Sequence, residues 1–369
     1  MLDHWLAPLR PSDGLNANEF AEYQLGAHVV RWDADADPAE LAAGSVALVG
    51  LDAAEADRVR GRLYAMAYPG GDIAVVDLGN ARKPGGAVNA PVMQELLSAG
   101  VVPVFLGREA DRALAQYYGY HHAEYLTNLV VVDDRACFDA RAVPDEKAYL
   151  DHVFDLTPVR LFHLALLAYQ THYTDPATLE YLHQHHFEFY RLGLVKHGID
   201  EAEPVLRDAD AVVFQLPALK AADAPAKERA GGSGLTSEEA CQLCRFAGMA
   251  DKVTSFGVYG YLAERDASAQ TADVIAQLVW YFVEGVANRK YDFPASTEGL
   301  SEYVVQLDGQ SAPLSFWKSE RSGRWWMRVP YGLDGDPRHQ YVPCTYADYL
   351  TACDQRLPDR LVEAYKRFV

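Results

Sequence analysis

The alternation of short apolar runs with longer amphipathic segments is the feature that most restricts the fold of this 369-residue chain. Six apolar runs have the composition of buried strands, at residues 46–51, 73–78, 102–106, 129–133, 211–216 and 253–258. Between and after them the period is helical, at residues 57–67, 90–99, 112–119, 236–247 and 271–288. Such alternation is typical of βαβ units, in which helices cover both faces of a parallel sheet. The sequence therefore predicts a three-layer α/β/α fold with a mainly parallel sheet.

Local signals add detail at three places. Thr236 is followed three residues later by Glu239, a capping box that begins a helix. Residues 150–200 are predicted to be mainly helical, although the period of residues 161–167 fits a helix or a strand. Residues 220–234 are rich in small residues, Pro and Gly and follow a strand end. We therefore expect them to form a surface loop over the mouth of the sheet.

The C-terminal part of the chain has a different character, with Trp residues and a hairpin pattern. Strands are expected at residues 314–318 and 324–329, and a final helix at residues 356–368. We accordingly divide the chain into an α/β domain of residues 1–294 and a C-terminal extension of residues 295–369 that packs on it.

Composition excludes several classes of protein. The formal net charge is -19, from 52 acidic and 33 basic residues, which argues against binding to nucleic acids or anionic membranes. The N-terminus lacks the apolar core of a signal peptide, and no apolar stretch is long enough to span a bilayer. Five cysteines are too few for a disulfide framework in a chain of this length. We expect a cytoplasmic protein.

The sequence LVVVDDRACFD, residues 129–139, is the strongest indication of a functional site. A buried parallel strand that ends in acidic residues delivers them to the sheet edge where α/β proteins bind ligands. The side chains delivered here are Asp133, Asp134, Arg135, Cys137 and Asp139. The carboxylates could hold a cation, but the guanidinium of Arg135 places a permanent positive charge among them. The location is that of an active site, whereas the residue types do not suit a metal.

The order of elements and several segments resemble the ureohydrolase family, which includes arginase, agmatinase and formimidoylglutamase. The shared fold covers residues 45–290, and residues 102–120, 129–139, 209–225 and 234–289 carry the resemblance. The tail sequences KSERSGRWWMRVPY and YVPCTYADYLTAC are similar to a divergent bacterial branch, typical of Bacteroidetes, with a Trp-rich extension. The resemblance implies an arginase-like fold, a homo-oligomer and a site for hydrolysis of carbon–nitrogen bonds.

Active ureohydrolases hold two manganese ions with three motifs, and the first two are altered in this chain. The His of the Gly-Gly-Asp-His motif falls at or beside Ala110. In the Asp-x-His-x-Asp motif, Asp133 matches the first position. The His position holds Arg135 and the second Asp position holds Cys137, unless an insertion lets Asp139 serve.

The third motif is altered as well. Its two Asp positions hold Gln215 and Pro217, and the substrate-binding Glu after the next strand falls at Gly260. Two neighbouring dications need several anionic ligands to offset their mutual repulsion. The resemblance therefore implies a ureohydrolase fold without catalytic residues or metal, acting as a scaffold or binding protein. One alternative is a manganese-dependent hydrolase of formimidoylglutamase or agmatinase type with an altered metal site. Another is a sensor of an anionic small molecule.

The candidate pocket consists of Arg108, Glu109, Asp133, Arg135, Cys137, Asp139, Gln215, Lys220 and Gly260. Two interpretations of its cations remain open. Arg108, Arg135 and Lys220 are predicted at carboxyl ends of strands, where they could bind an anionic small molecule. Alternatively, Arg135 pairs with Asp133 or Asp139 and fills the former metal cavity.

Trp325 and Trp326 are the candidates for a protein interface. Adjacent residues of a strand point to opposite faces, so one of the two is expected to be buried and the other exposed or covered by a partner. The alternative is that the hairpin folds over its own domain and buries both.

Two further clusters are assigned structural roles. Cys241 and Cys244 form a CxxC within a predicted helix and lack a second pair, so we expect buried helix cysteines. His183, His185 and His186 are expected on a solvated face rather than at a metal.

Overall fold

Fourteen strands and eleven α-helices form the part of the chain that the computed structural model describes, namely residues 2–9, 19–32, 41–138, 148–294, 297–309, 312–331 and 338–368. The strands are β1 (Leu6–Ala7), β2 (Val30–Arg31), β3 (Val46–Gly50), β4 (Val75–Ala81), β5 (Val102–Leu106), β6 (Thr127–Val132), β7 (Leu161–Tyr169), β8 (Glu188–Arg191), β9 (Ala211–Gln215), β10 (Ser255–Tyr259), β11 (Leu300–Val305), β12 (Leu314–Ser319), β13 (Trp325–Tyr331) and β14 (Arg338–Cys344). The helices are α1 (Ala53–Leu63), α2 (Ala90–Ser98), α3 (Leu114–His122), α4 (Tyr149–Phe154), α5 (Pro176–Gln184), α6 (Leu192–His197), α7 (Glu203–Arg207), α8 (Ser237–Met249), α9 (Gln270–Ala287), α10 (Tyr346–Cys353) and α11 (Asp359–Phe368).

The first ten strands form one sheet. Its order is β1-β4-β3-β5-β10-β9-β6-β7-β8, with β2 also paired to β4. Every pairing is parallel except that of β1 with β4. The six strands predicted from apolar runs are all present, and β3, β5, β6, β9 and β10 are buried along their whole length because helices cover both faces. The predicted mainly parallel sheet is confirmed.

Strand β6 shows how the three layers are built. Its alternate residues Val130 and Val132 belong to the core that includes α1, α8 and α9. Leu129 and Val131 belong to the opposite core, which includes α2, α3 and α4. Because successive side chains of a strand point to opposite faces, one apolar strand serves both cores.

The capping box is confirmed, whereas the mainly helical prediction for residues 150–200 was wrong in part. The Glu239 amide donates to Thr236 Oγ1 at 3.3 Å, and the Thr236 amide donates to Glu239 Oε2 at 2.8 Å. Residues 150–200 contain α4, α5 and α6 but also β7 and β8. Strand β7 is buried along nearly its whole length and pairs with β6 and β8, an environment that its period alone could not reveal.

A second, antiparallel sheet forms the C-terminal part, in the order β11-β12-β13-β14. The predicted hairpin is present as β12 and β13, with Trp317 opposite Trp326. The prediction was incomplete, because β11, β14 and α10 complete the unit. In the described ranges no helix has the length and apolar character to cross a membrane.

Of the two interpretations of Trp325 and Trp326, the structure agrees with the one in which the chain itself buries both rings. Trp325 is 7% exposed and Trp326 is 1% exposed. Trp326 lies under the guanidinium of Arg207, whose Cζ is 4.5 Å from the ring centroid. Trp325 stacks on Tyr349 of α10 at 5.1 Å on the other face of the sheet. Both faces of β13 are covered by this chain itself.

Candidate functional site

Two buried carboxylates lie where β6 ends, at the carboxyl edge of the parallel sheet. Asp133 and Asp134 follow Val132 directly and are 0% and 1% exposed. The Asp133 amide donates to the carbonyl of Leu167 at 3.1 Å, and the Asp134 amide donates to Asp133 Oδ1 at 2.7 Å. The parallel ladder therefore fixes both carboxylates at the location that the sequence predicted.

The cation beside Asp133 is Arg229, which is not among the predicted pocket residues. Its Nη2 donates to both oxygens of Asp133, at 2.9 and 3.1 Å, and to Asp134 Oδ1 at 3.1 Å. Arg229 lies in the loop predicted to cover the mouth of the sheet. That loop carries three cations, Lys220, Lys227 and Arg229. Because it directly follows β9, its position is the sequence signal that could have indicated a cation beside Asp133.

Arg135 pairs with a different carboxylate from the one expected. Its Nε and Nη2 donate to the two oxygens of Asp134 at 3.0 and 3.2 Å. Its Cζ lies 4.8 Å from the centroid of the Tyr173 ring. The proposed pairing of Arg135 with Asp133 is therefore wrong, and Asp139 lies outside the described residues.

The protonation states of the site follow from burial and these contacts. Burial raises the pKa of Asp133 to about 6, although Arg229 acts in the opposite direction. Burial opposes the charge of Arg229, but the facing carboxylates outweigh it and raise the pKa of the guanidinium. Near neutral pH the pair is therefore ionised.

Cys137 completes the surroundings of Asp133 as a neutral donor. Its thiol donates to Asp133 Oδ2 at 3.1 Å. Burial, reinforced by the charge of Asp133, raises the pKa of this thiol well above its usual range. A metal ligand would have to be the thiolate, so the environment of Cys137 favours the form that does not bind a metal.

The third predicted motif offers no carboxylate. Gln215 is buried, and its Nε2 donates to the carbonyl of Ala110 at 3.2 Å. Gly260 has a φ of 91°, and a Cβ there would lie 3.3 Å from Cδ of Pro217.

Lys227 is buried beside this strand end, where its Nζ donates to the carbonyls of Leu216 and Leu219. Burial lowers the pKa of its ammonium to about 8.

The other predicted pocket residues are brought together only in part. Arg108 pairs with Glu55 and Glu264 at 2.8 and 2.6 Å. Arg108 and Glu109 line an open cavity of about 360 Å³ together with Arg229. Lys220 is not among the described residues that line this cavity.

The residues present do not fit the binuclear manganese centre that the resemblance implies. Asp133 is the one ligand position matched in the sequence, and both of its oxygens accept hydrogen bonds from Arg229. Within the described ranges no group of three or more His, Cys, Asp or Glu side chains is arranged to hold a metal ion. A site for two dications requires several anionic ligands. Of the described residues that follow β6, the carboxylates of Asp133 and Asp134 are both already paired with guanidiniums.

The fold of this chain is similar to that of solved ureohydrolase structures. Formiminoglutamase from Trypanosoma cruzi, crystallised with Mn²⁺, matches at 15% identity and a TM-score of 0.57, over 67% of this chain and 94% of its own. Formimidoylglutamase from Bacillus subtilis matches at 15% identity and a TM-score of 0.63, over 73% and 93%. Arginase from Bacillus subtilis matches at 15% identity and a TM-score of 0.54, over 65% and 98%.

Sequence comparison finds no such relatives, since no family model and no curated protein matches this chain. The class defined by the structure is that of α/β proteins with a parallel sheet between two helical layers. Within this class, the chain has an arginase-like fold, which it shares with the formimidoylglutamase and arginase structures above.

Proposed function

We propose that this chain is a ureohydrolase-like protein without the binuclear manganese site, and that it acts as a non-catalytic scaffold or binding protein. One observation carries the proposal. The surviving ligand position, Asp133, is fully buried and faces the guanidinium of Arg229 through both oxygens. A fixed internal cation stands beside the carboxylate that a metal ion would need.

The loop that carries Arg229 is held on both sides, which supports a permanent role. The Lys220 amide donates to the carbonyl of Leu235 at 2.9 Å, and the Ala221 amide donates to that of Gly231 at 2.9 Å. On the other side, the Leu262 amide donates to the carbonyl of Ala226 at 3.0 Å. The first two contacts close the base of the loop, and the third ties the loop to the segment that follows β10, as expected for a built-in plug rather than a lid.

Electrostatics opposes a dication beside this plug. Asp133 and Asp134 are balanced by Arg135 and Arg229, so the local charge is already close to zero. A dication about 4 Å from a guanidinium would be repelled by roughly 8 kcal/mol at an effective dielectric constant of 20. Binding would therefore require Arg229 to leave the site.

Assays of hydrolysis test the proposal directly. The protein, purified with and without manganese, is incubated with N-formimidoyl-glutamate, agmatine and arginine, and release of formamide or urea is measured. We expect no release above the buffer control. Manganese-dependent release that scales with protein concentration and is lost in Asp133→Asn would support the hydrolase alternative and refute the proposal.

A further inference from the structure

An open cavity of about 270 Å³ lies near the carboxyl ends of β7 and β8. Leu167 of β7 and Tyr190 of β8 line it from the sheet. The other lining residues lie between residues 194 and 202, in α6 and in the short turn of helix that follows it. Because α6 directly follows β8, the cavity is on the side of the sheet where parallel α/β proteins bind ligands. The candidate site at Asp133 makes no use of it.

The lining of this cavity is mostly apolar. Leu167, Val195 and Ala202 line it and are buried. Leu194 also lines it but is 55% exposed, which places an apolar side chain at the opening. In another protein, an apolar cavity of about 150 Å³ stays dry and binds benzene. The larger volume of about 270 Å³ leaves room for a ring system of two rings.

The polar groups of the lining, with one exception, are already paired within the chain. Glu201 accepts from Arg360 at 3.3 Å, and Tyr190 Oη donates to Glu188 at 2.5 Å. The exception is His197, whose imidazole has no hydrogen-bond or ion-pair partner within the described ranges. A charged ligand would lose hydration here without gaining a free counter-ion. A neutral ligand with one N–H or O–H group could donate to the acceptor nitrogen of a neutral imidazole.

We propose that this cavity binds a small neutral aromatic molecule of one or two rings, whose N–H or O–H group donates to His197. The rings contact Leu167, Val195 and Ala202 and cover Leu194, so binding removes apolar surface of both molecules from water. The inference goes beyond the proposed function, because it depends on this cavity and not on the site at the end of β6. Ligand binding and manganese binding can therefore succeed or fail separately.

Indole and three relatives of similar size test the proposed ligand class on the full chain. Indole is titrated into the protein and its binding is followed by saturation-transfer NMR. We expect saturable binding. Indoleacetate, an anion, and tryptamine, a cation, should bind about tenfold more weakly or less, because their charges find no free partner. Benzofuran has the shape of indole without the N–H group, so His197→Ala should weaken the binding of indole and leave that of benzofuran unchanged.

Protein variants locate the binding site. Ala202→Leu fills the cavity and should weaken indole binding by about tenfold or more. Leu194→Ser removes apolar surface at the opening and should weaken it by roughly threefold or more. Because Leu194 is exposed, this second variant should fold even if Ala202→Leu does not. Leu350→Ser, which replaces an exposed leucine of α10, is the matched control and should bind indole as the unchanged protein does.

Three results would overturn the inference. The first is the absence of saturable indole binding to the unchanged chain. The second is binding of indoleacetate or tryptamine as tight as that of indole, because the cavity would then not select a neutral ligand. The third is unchanged indole binding in Leu194→Ser and in folded Ala202→Leu, because indole would then occupy another place.

Discussion

Replacing Arg229 with Ala is the sharpest test of its role as an internal cation. The change removes the guanidinium but leaves the carboxylates of Asp133 and Asp134 buried. Removing one partner of a buried ion pair costs about 3–5 kcal/mol, because the other charge loses its compensation. The Arg229 side chain is 24% exposed, so water can reach part of the gap. We therefore expect a loss of about 3 kcal/mol in the free energy of unfolding at pH 7, the lower end of that range.

The loss should depend on pH in a defined direction. In the folded protein the pKa of Asp133 is about 6, above the unfolded value of about 3.9. Arg229 lowers this pKa, whereas burial and Asp134 raise it. Without Arg229 the folded pKa rises further. A raised folded pKa contributes stability that is complete below the unfolded pKa and is lost as pH rises through the folded pKa. The deficit of Arg229→Ala should therefore be largest above pH 7 and shrink towards pH 5.

Urea unfolding followed by tryptophan fluorescence at pH 8, 7 and 5.5 measures these differences. Arg265→Ala, an exposed arginine of the same cavity, is the control and should change stability by less than about 0.5 kcal/mol. Adding Asp133→Asn to Arg229→Ala should restore part of the loss, because the uncompensated charge disappears. An Arg229→Ala protein as stable as the unchanged chain at pH 8 would refute the assignment of Arg229 as the counter-ion.

Three further predictions concern other parts of the chain. Trp326→Ala should lower the free energy of unfolding by about 3–5 kcal/mol in urea, because the ring is buried under Arg207; a loss below about 1 kcal/mol would contradict this packing. Arg367→Ala should destabilise the chain at neutral pH, because it removes the guanidinium that donates to buried Glu188 at 2.7 Å and leaves this carboxylate with Tyr190 and His163 alone. Although burial acts in the opposite direction, His163 and Arg367 hold the pKa of Glu188 below its usual range. This stability is therefore present above the unfolded pKa and lost as pH falls, and the deficit should be smaller at pH 3.5 than at pH 7. Ellman's reagent should react rapidly with one thiol of the native chain, and this reaction should disappear in Cys353→Ser, since the other four cysteines are buried.

Much of the fold could be predicted because its signals are local. An apolar run such as residues 102–106 specifies a strand buried on both faces, and the structure has β5 with the same bounds. Thr236 and Glu239 specify a helix start through contacts three residues apart. The position of Asp133 at the sheet edge could also be predicted from the sequence, because the carboxyl ends of parallel strands meet at one edge.

The partner of Asp133 could not be predicted, because it depends on a long-range contact. Arg229 is separated from Asp133 by 96 residues, and no periodic pattern shows which cation of a loop turns inward. Strand β8 was missed for a similar reason: its sequence, EFYR, has no strong pattern, and pairing with β7 determines its conformation. The domain boundary after residue 294, the cytoplasmic location and the homo-oligomer stay predictions.

Metal analysis of the purified protein tests the central claim most directly. The chain is produced in manganese-supplemented medium, desalted and analysed by mass spectrometry, with the Trypanosoma cruzi formiminoglutamase crystallised with Mn²⁺ as the positive control. We predict that no stoichiometric manganese remains with this chain, because Arg229 compensates Asp133. In addition, the positions that the resemblance assigns to other metal ligands hold Arg135, Cys137 and Gln215. Retention of about two manganese ions per chain, the content of a binuclear centre, would contradict the account.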